Sequence, residues 1–65
     1  MKTDARFIGT DGSCGLRKGQ IYRIEIVDNS DNLKRKYRYR VWVNGIGIPY
    51  DTMNGIRKNW KILTE

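Results

Sequence analysis

Apolar and polar residues alternate with a period of two along three stretches of the chain. In Thr3–Ile8, Ala5 and Phe7 share one face and Arg6 takes the other. In Gln20–Asp28, Tyr22, Ile24 and Ile26 oppose Ile21, Arg23, Glu25 and Val27. In Arg35–Asn44, the longest, Tyr37, Tyr39, Val41 and Val43 oppose Lys36, Arg38, Arg40 and Trp42. A period of two marks a strand with one buried face, so each stretch predicts a strand. Matching the apolar faces of the second and third strands predicts a hairpin. Glu25 then lies opposite Arg38, Ile21 opposite Trp42, and Tyr39 faces Ile24. Its turn falls at Asp28-Asn29-Ser30-Asp31-Asn32, where four Asx side chains can cap their own backbone.

Turn chemistry punctuates the rest. Asn44-Gly45 predicts a two-residue type I′ hairpin into a fourth strand, Ile46–Tyr50. Pro49 cannot donate a ladder hydrogen bond and belongs at an edge or a strand end. Asp51-Thr52 can cap a helical turn, and Met53, Ile56 and Trp60 recur at spacings of three and four. Gly55 argues against a long helix, so Thr52–Lys58 predicts a 3₁₀ or single α turn, followed by a last strand at Trp60–Leu63. Between the first two strands, Asp11-Gly12-Ser13 and Lys18-Gly19 predict turns in a long, flexible loop. The order is strand, long loop, two hairpins, helical turn, strand. It predicts one all-β domain over residues 1–65, a small five-stranded SH3-like barrel with a short 3₁₀ turn before the last strand.

Composition narrows the chemistry. With one cysteine and no histidine in 65 residues, the chain has no internal disulfide and no structural zinc to staple it. Its stability must come from the apolar core or from self-association. A single thiol favours a reducing compartment, the N-terminus has no apolar leader core, and no apolar run is long enough to span a membrane. A cytoplasmic protein is expected. Without histidine, the commonest general base and metal ligand is missing, and nothing can activate Cys14. Cys14 reads as a small, half-buried loop residue. The glycines between Gly9 and Gly15 lead into Leu16-Arg17-Lys18 and a strand, not into the Lys-Ser/Thr helix of a phosphate loop. No catalysis, cofactor, metal or small-molecule substrate is expected.

Charge placement adds a candidate surface. Net charge is +6, and Lys34, Arg35, Lys36, Arg38 and Arg40 contribute five of the thirteen basic residues. The remaining eight basic and seven acidic side chains nearly cancel. Cations interleaved with aromatics suit nucleic acid, because cations release counterions from phosphates and rings stack on bases. Alternation, however, assigns Tyr37 and Tyr39 to the face opposite Arg38 and Arg40, leaving Trp42 as the ring on the cationic side. The candidate nucleic-acid face is therefore Arg23, Lys34, Arg35, Lys36, Arg38, Arg40 and Trp42. The competing reading is a solvated strand face that like charge keeps soluble and unpaired. Tyr50 and Trp60 form a second candidate, a peptide groove beside the helical turn. Both rings equally suit the packing of a small core.

The segment Gly15–Ile24, a Lys-Gly turn opening an amphipathic strand, resembles the loop-to-strand segment of SH3-like barrels. The whole chain resembles small uncharacterised SH3-like proteins of bacteriophages and Gram-positive bacteria. The carrying residues are Ala5-Arg6-Phe7-Ile8-Gly9, Asp11-Gly12-Ser13, Gly15-Leu16-Arg17-Lys18-Gly19, Tyr22, Val41-Trp42-Val43, Pro49-Tyr50 and Asn59-Trp60. The resemblance implies a fold and a phage or prophage setting, and brings no activity with it. Where eukaryotic SH3 domains carry Ala-Leu-Tyr-Asp-Tyr, this chain reads Phe7-Ile8-Gly9-Thr10-Asp11, so it does not imply a proline-rich peptide groove. Two functions remain open. One is a low-specificity nucleic-acid-binding module. The other is a protein-interaction module docking on an acidic protein surface, such as a phage accessory protein on a host or phage protein. A homodimer joined through a strand edge is a further arrangement.

Overall fold

The computed structural model describes residues 1–29 and 37–63. Five antiparallel strands form one sheet: β1 (Lys2–Phe7), β2 (Ile21–Asp28), β3 (Tyr39–Val43), β4 (Ile46–Tyr50) and β5 (Trp60–Leu63). Their order across the sheet is β4-β3-β2-β1-β5. A helix, α1 (Met53–Asn59), joins the two edge strands, and a single 3₁₀ turn at Ser13–Gly15 lies in the loop after β1. Among the described residues β4 and β5 share no ladder, so the sheet is curled but open rather than a closed barrel. The segment before β5 is α-helical rather than 3₁₀. Thr52 caps it, its Oγ1 accepting from the Gly55 N–H at 3.0 Å. That cap starts a helix which Gly55 does not prevent, because tertiary packing of Ile56 outweighs its propensity cost.

The alternation predicted for each strand assigns the faces. Ala5 and Phe7 of β1, Ile24 and Ile26 of β2, and Val41 and Val43 of β3 all point into the core. Leu16 from the β1–β2 loop, Ile56 from α1 and Trp60 from β5 complete it. The Asn44-Gly45 turn takes φ of 50° and 77°, the paired left-handed geometry of a type I′ hairpin, and it sets Val43 opposite Ile46. Pro49 lies in the edge strand β4, where its missing N–H costs no ladder bond.

The β2–β3 register departs from expectation. Glu25 pairs with Trp42, Ile26 with Val41, Val27 with Arg40 and Asp28 with Tyr39. The predicted pairs of Glu25 with Arg38, Ile21 with Trp42 and Ile24 with Tyr39 are each displaced by four residues. An even slip keeps every side chain on its own face, so alternation cannot detect it. The third strand is also shorter than predicted. Tyr37 and Arg38 form a bend before it, and Lys34, Arg35 and Lys36, with the Ser30-Asp31-Asn32 part of the expected turn, lie outside the described residues.

The loop expected to be flexible is held by backbone hydrogen bonds. Gly12 N–H donates to Leu16 O at 2.7 Å, and Gly19 N–H donates to Phe7 O at 2.7 Å. Asp11 Oδ1 accepts from the Lys18 N–H at 2.9 Å, and the Tyr22 hydroxyl oxygen accepts from the Arg17 N–H at 2.9 Å. These bonds seat Leu16 in the core. Cys14 is exposed rather than half-buried, because it occupies the outer corner of the 3₁₀ turn with a left-handed φ of 52°.

Two substitutions test this framework by urea unfolding. Thr52→Ala removes the cap and is expected to cost about 1 kcal/mol. Trp60→Ala is expected to cost about 3–5 kcal/mol, a large part of the ~3–10 kcal/mol typical of a domain this size.

Candidate nucleic-acid interface

The outward face of the sheet carries residues excluded from the core by their parity. Lys2, Asp4 and Arg6 come from β1, Arg23, Glu25 and Val27 from β2, Arg40 and Trp42 from β3, and Lys61 from β5. Trp42 is 39% exposed, whereas Trp60 is 1% exposed. The two tryptophans therefore divide cleanly between surface and core.

Arg40 organises the β3 side of this face. Its Cζ lies 5.2 Å from the Trp42 ring centroid and 4.8 Å from that of Tyr37. The guanidinium thus lies over both rings, each cation–π contact worth about 0.5–2 kcal/mol. Alternation had assigned Tyr37 to the opposite face. It reaches Arg40 because it lies in the bend before β3, where strand parity does not apply. Tyr39, inside the strand, does pack against the core, and the Arg38 guanidinium covers its ring at 5.2 Å. Arg40 Nε is buried with no hydrogen-bond partner. Gly47, directly across from Trp42 on β4, makes room for the stack. A Cβ there would lie 2.8 Å from Arg40 Cδ and 3.0 Å from the Trp42 ring.

Two other predicted cations stand beside carboxylates. Arg23 lies 3.3 Å from Asp4 and Arg38 lies 3.9 Å from Asp28. Both pairs are solvent-exposed, so each contributes roughly 0–1 kcal/mol and is readily exchanged for another anion. The sheet brings Arg23, Arg40 and Trp42 to one face, whereas Arg38 covers the core-packed Tyr39 and lines the cleft beside α1. Lys34, Arg35 and Lys36 lie outside the described residues. Sequence reasoning missed Tyr37 and Gly47 as parts of the site. A glycine in a strand facing an aromatic is a signal of close approach.

The groove expected from Tyr50 and Trp60 does not form around both rings. Trp60 is buried edge-on against Phe7 and Tyr22, at centroid distances of 5.1 and 6.1 Å. Its Nε1–H donates to the Tyr50 hydroxyl oxygen at 3.1 Å. A cleft of about 290 Å³ opens next to Tyr50 instead, lined by Arg38, Tyr39 and residues Asp51 to Asn54. Among the described residues no helix is long and apolar enough to cross a membrane. No protein-family model, curated protein or solved structure matches this chain.

Burial pushes the Tyr50 hydroxyl above its ordinary pKa of 10.0; the Trp60 bond opposes this and the electrostatic influence of Cys14 adds to it. A raised pKa in the folded state favours the neutral phenol. Its contribution is therefore intact below pH 10.0 and is lost as pH rises through the raised value. Tyr50→Phe should shallow the alkaline decline in stability. The tyrosinate absorbance difference between wild type and Tyr50→Phe should develop only above the ordinary tyrosine range, near pH 10.

Proposed function

We propose that this chain is a non-catalytic binding module of SH3-like architecture that takes nucleic acid on the outward face of its sheet, with little sequence preference. The observation that carries this reading is Trp42, exposed on a face that also presents Arg23 and Arg40. The element order and the helix between β4 and β5 support the SH3-like architecture. Cations on this face would contact phosphates, which set affinity and orientation but carry no sequence information. The Lys34-Arg35-Lys36 run, adjacent in sequence to Tyr37, adds three positive charges to this part of the sequence. The single free thiol of Cys14 suits a reducing, cytosolic setting.

A second reading has its own observation. The cleft beside Tyr50 pairs the apolar walls of Tyr39 and Met53 with one cation, Arg38, and one carboxylate, Asp51. This suits a segment of a protein partner better than a polyanion. A partner captured from nuclease-treated lysate, and released by substitution of Met53, would favour it.

Fluorescence anisotropy with labelled oligonucleotides tests the leading reading. With about five cations engaged, log K should fall against log salt with a slope of roughly −4. Arg23→Glu combined with Arg6→Glu alters exposed side chains of the outward face only. It should flatten that slope and weaken binding at least about tenfold, with the thermal melt little changed. Absence of binding at low salt sinks the proposal.

A further inference from the structure

Arg40 is poorly placed to act as a plain phosphate clamp. Its guanidinium lies over two rings, and its Nε is buried with no acceptor among the described residues. One of the donors that makes arginine a fork for phosphate is therefore withdrawn. Leaving that donor unpaired is costly, and the two contacts with the rings offset it. What the arrangement creates is a ladder of planar groups, Tyr37, Arg40 and Trp42, resting on the bare backbone of Gly47. Arg40 covers part of the Trp42 ring and the remainder is open to solvent. Glu25 stands directly across from Trp42 in the neighbouring strand. Its carboxylate repels a phosphate placed beside the ring, and it can accept a hydrogen bond from an exocyclic amine of a base.

Building on the nucleic-acid reading, we infer that the Tyr37–Arg40–Trp42 ladder is a base-stacking platform, and that the ligand is single-stranded rather than duplex nucleic acid. A duplex offers phosphates and base edges but keeps its base faces stacked. An unpaired strand offers faces, and a base adds to this ladder as its next planar member. Arg23 and Arg6, on the same face but away from the ring, serve the backbone. Arg40 is a positioning residue, fixing the Trp42 and Tyr37 rings.

The two tryptophans allow a direct test. Trp60 is buried and hydrogen-bonded, so quenching on titration with oligothymidine reports Trp42. Tryptophan emission of the wild type should fall on adding the single strand, and that of Trp42→Phe, which retains only Trp60, should stay flat. Single strands should bind at least about tenfold more tightly than a duplex of equal length at the same salt. Trp42→Ala should lose about 10- to 100-fold in single-strand affinity while leaving duplex binding nearly unchanged. Trp42→Phe, which keeps a ring, should lose far less. Gly47→Ala, which leaves every contacting group present but crowds the ladder, should weaken single-strand binding and preserve the salt slope. Equal affinity for single strand and duplex, with Trp42 emission unchanged, overturns the platform and leaves the cationic face standing. Binding to neither overturns both.

Discussion

Trp60 holds this fold together. The sheet order leaves β4 and β5 as open edges, and no ladder joins them. Trp60 begins β5 and packs edge-on against Phe7 and Tyr22. Its indole N–H reaches across to the Tyr50 hydroxyl at the end of β4. One side chain thus supplies the largest buried volume in the core and a polar link between the edges that the backbone leaves apart. In a chain with one cysteine and no histidine, no disulfide or histidine-bound metal shares that task. Burial of the Tyr50 hydroxyl raises its pKa, and the Trp60 bond opposes that shift.

Commitment of large aromatics to the core shapes what remains for the surface. Phe7 and Trp60 are buried, and Tyr22, Tyr39 and Tyr50 are packed against the core cluster. Trp42 and Tyr37 are the two that meet on Arg40 instead. The basic charge of the chain sits around this pair in sequence, so cations and exposed aromatics are concentrated on and beside β3. The exposed carboxylates Asp4 and Asp28 temper the cations but cannot bind them tightly at the surface. A polyanion carrying many phosphates gains from counterion release where one carboxylate does not.

The architecture was largely legible from local pattern. Ala5 and Phe7, Ile24 and Ile26, and Val41 and Val43 alternate so regularly that their faces follow from parity. Asn44-Gly45 specified its hairpin because both residues accept a left-handed backbone. Thr52 specified the helix start through its hydroxyl. The helical type was less legible, since Gly55 lowers propensity and only the burial of Ile56 reveals what compensates it. The hydrogen bonding of the β1–β2 loop was less legible for a similar reason. Its glycines suggest freedom, while Asp11 and Tyr22 supply the bonds that hold it.

The candidate site divides in the same way. Sequence alone determined that Arg23, Arg40 and Trp42 share a face and that Val41 and Val43 do not, because a strand's side chains alternate whatever its partner. Tertiary structure decided the rest. The β2–β3 register slipped by four residues, a change invisible to alternation, and this set Glu25 rather than Ile21 opposite Trp42. The bend before β3 released Tyr37 from parity and let it stack on Arg40. Gly47, placed across the hairpin from Trp42, left the space in which both side chains lie. Periodicity along one strand assigns a side chain to a face. Its neighbours on that face depend on register and on the chain's path outside the strand, and those are set only when the whole sheet packs.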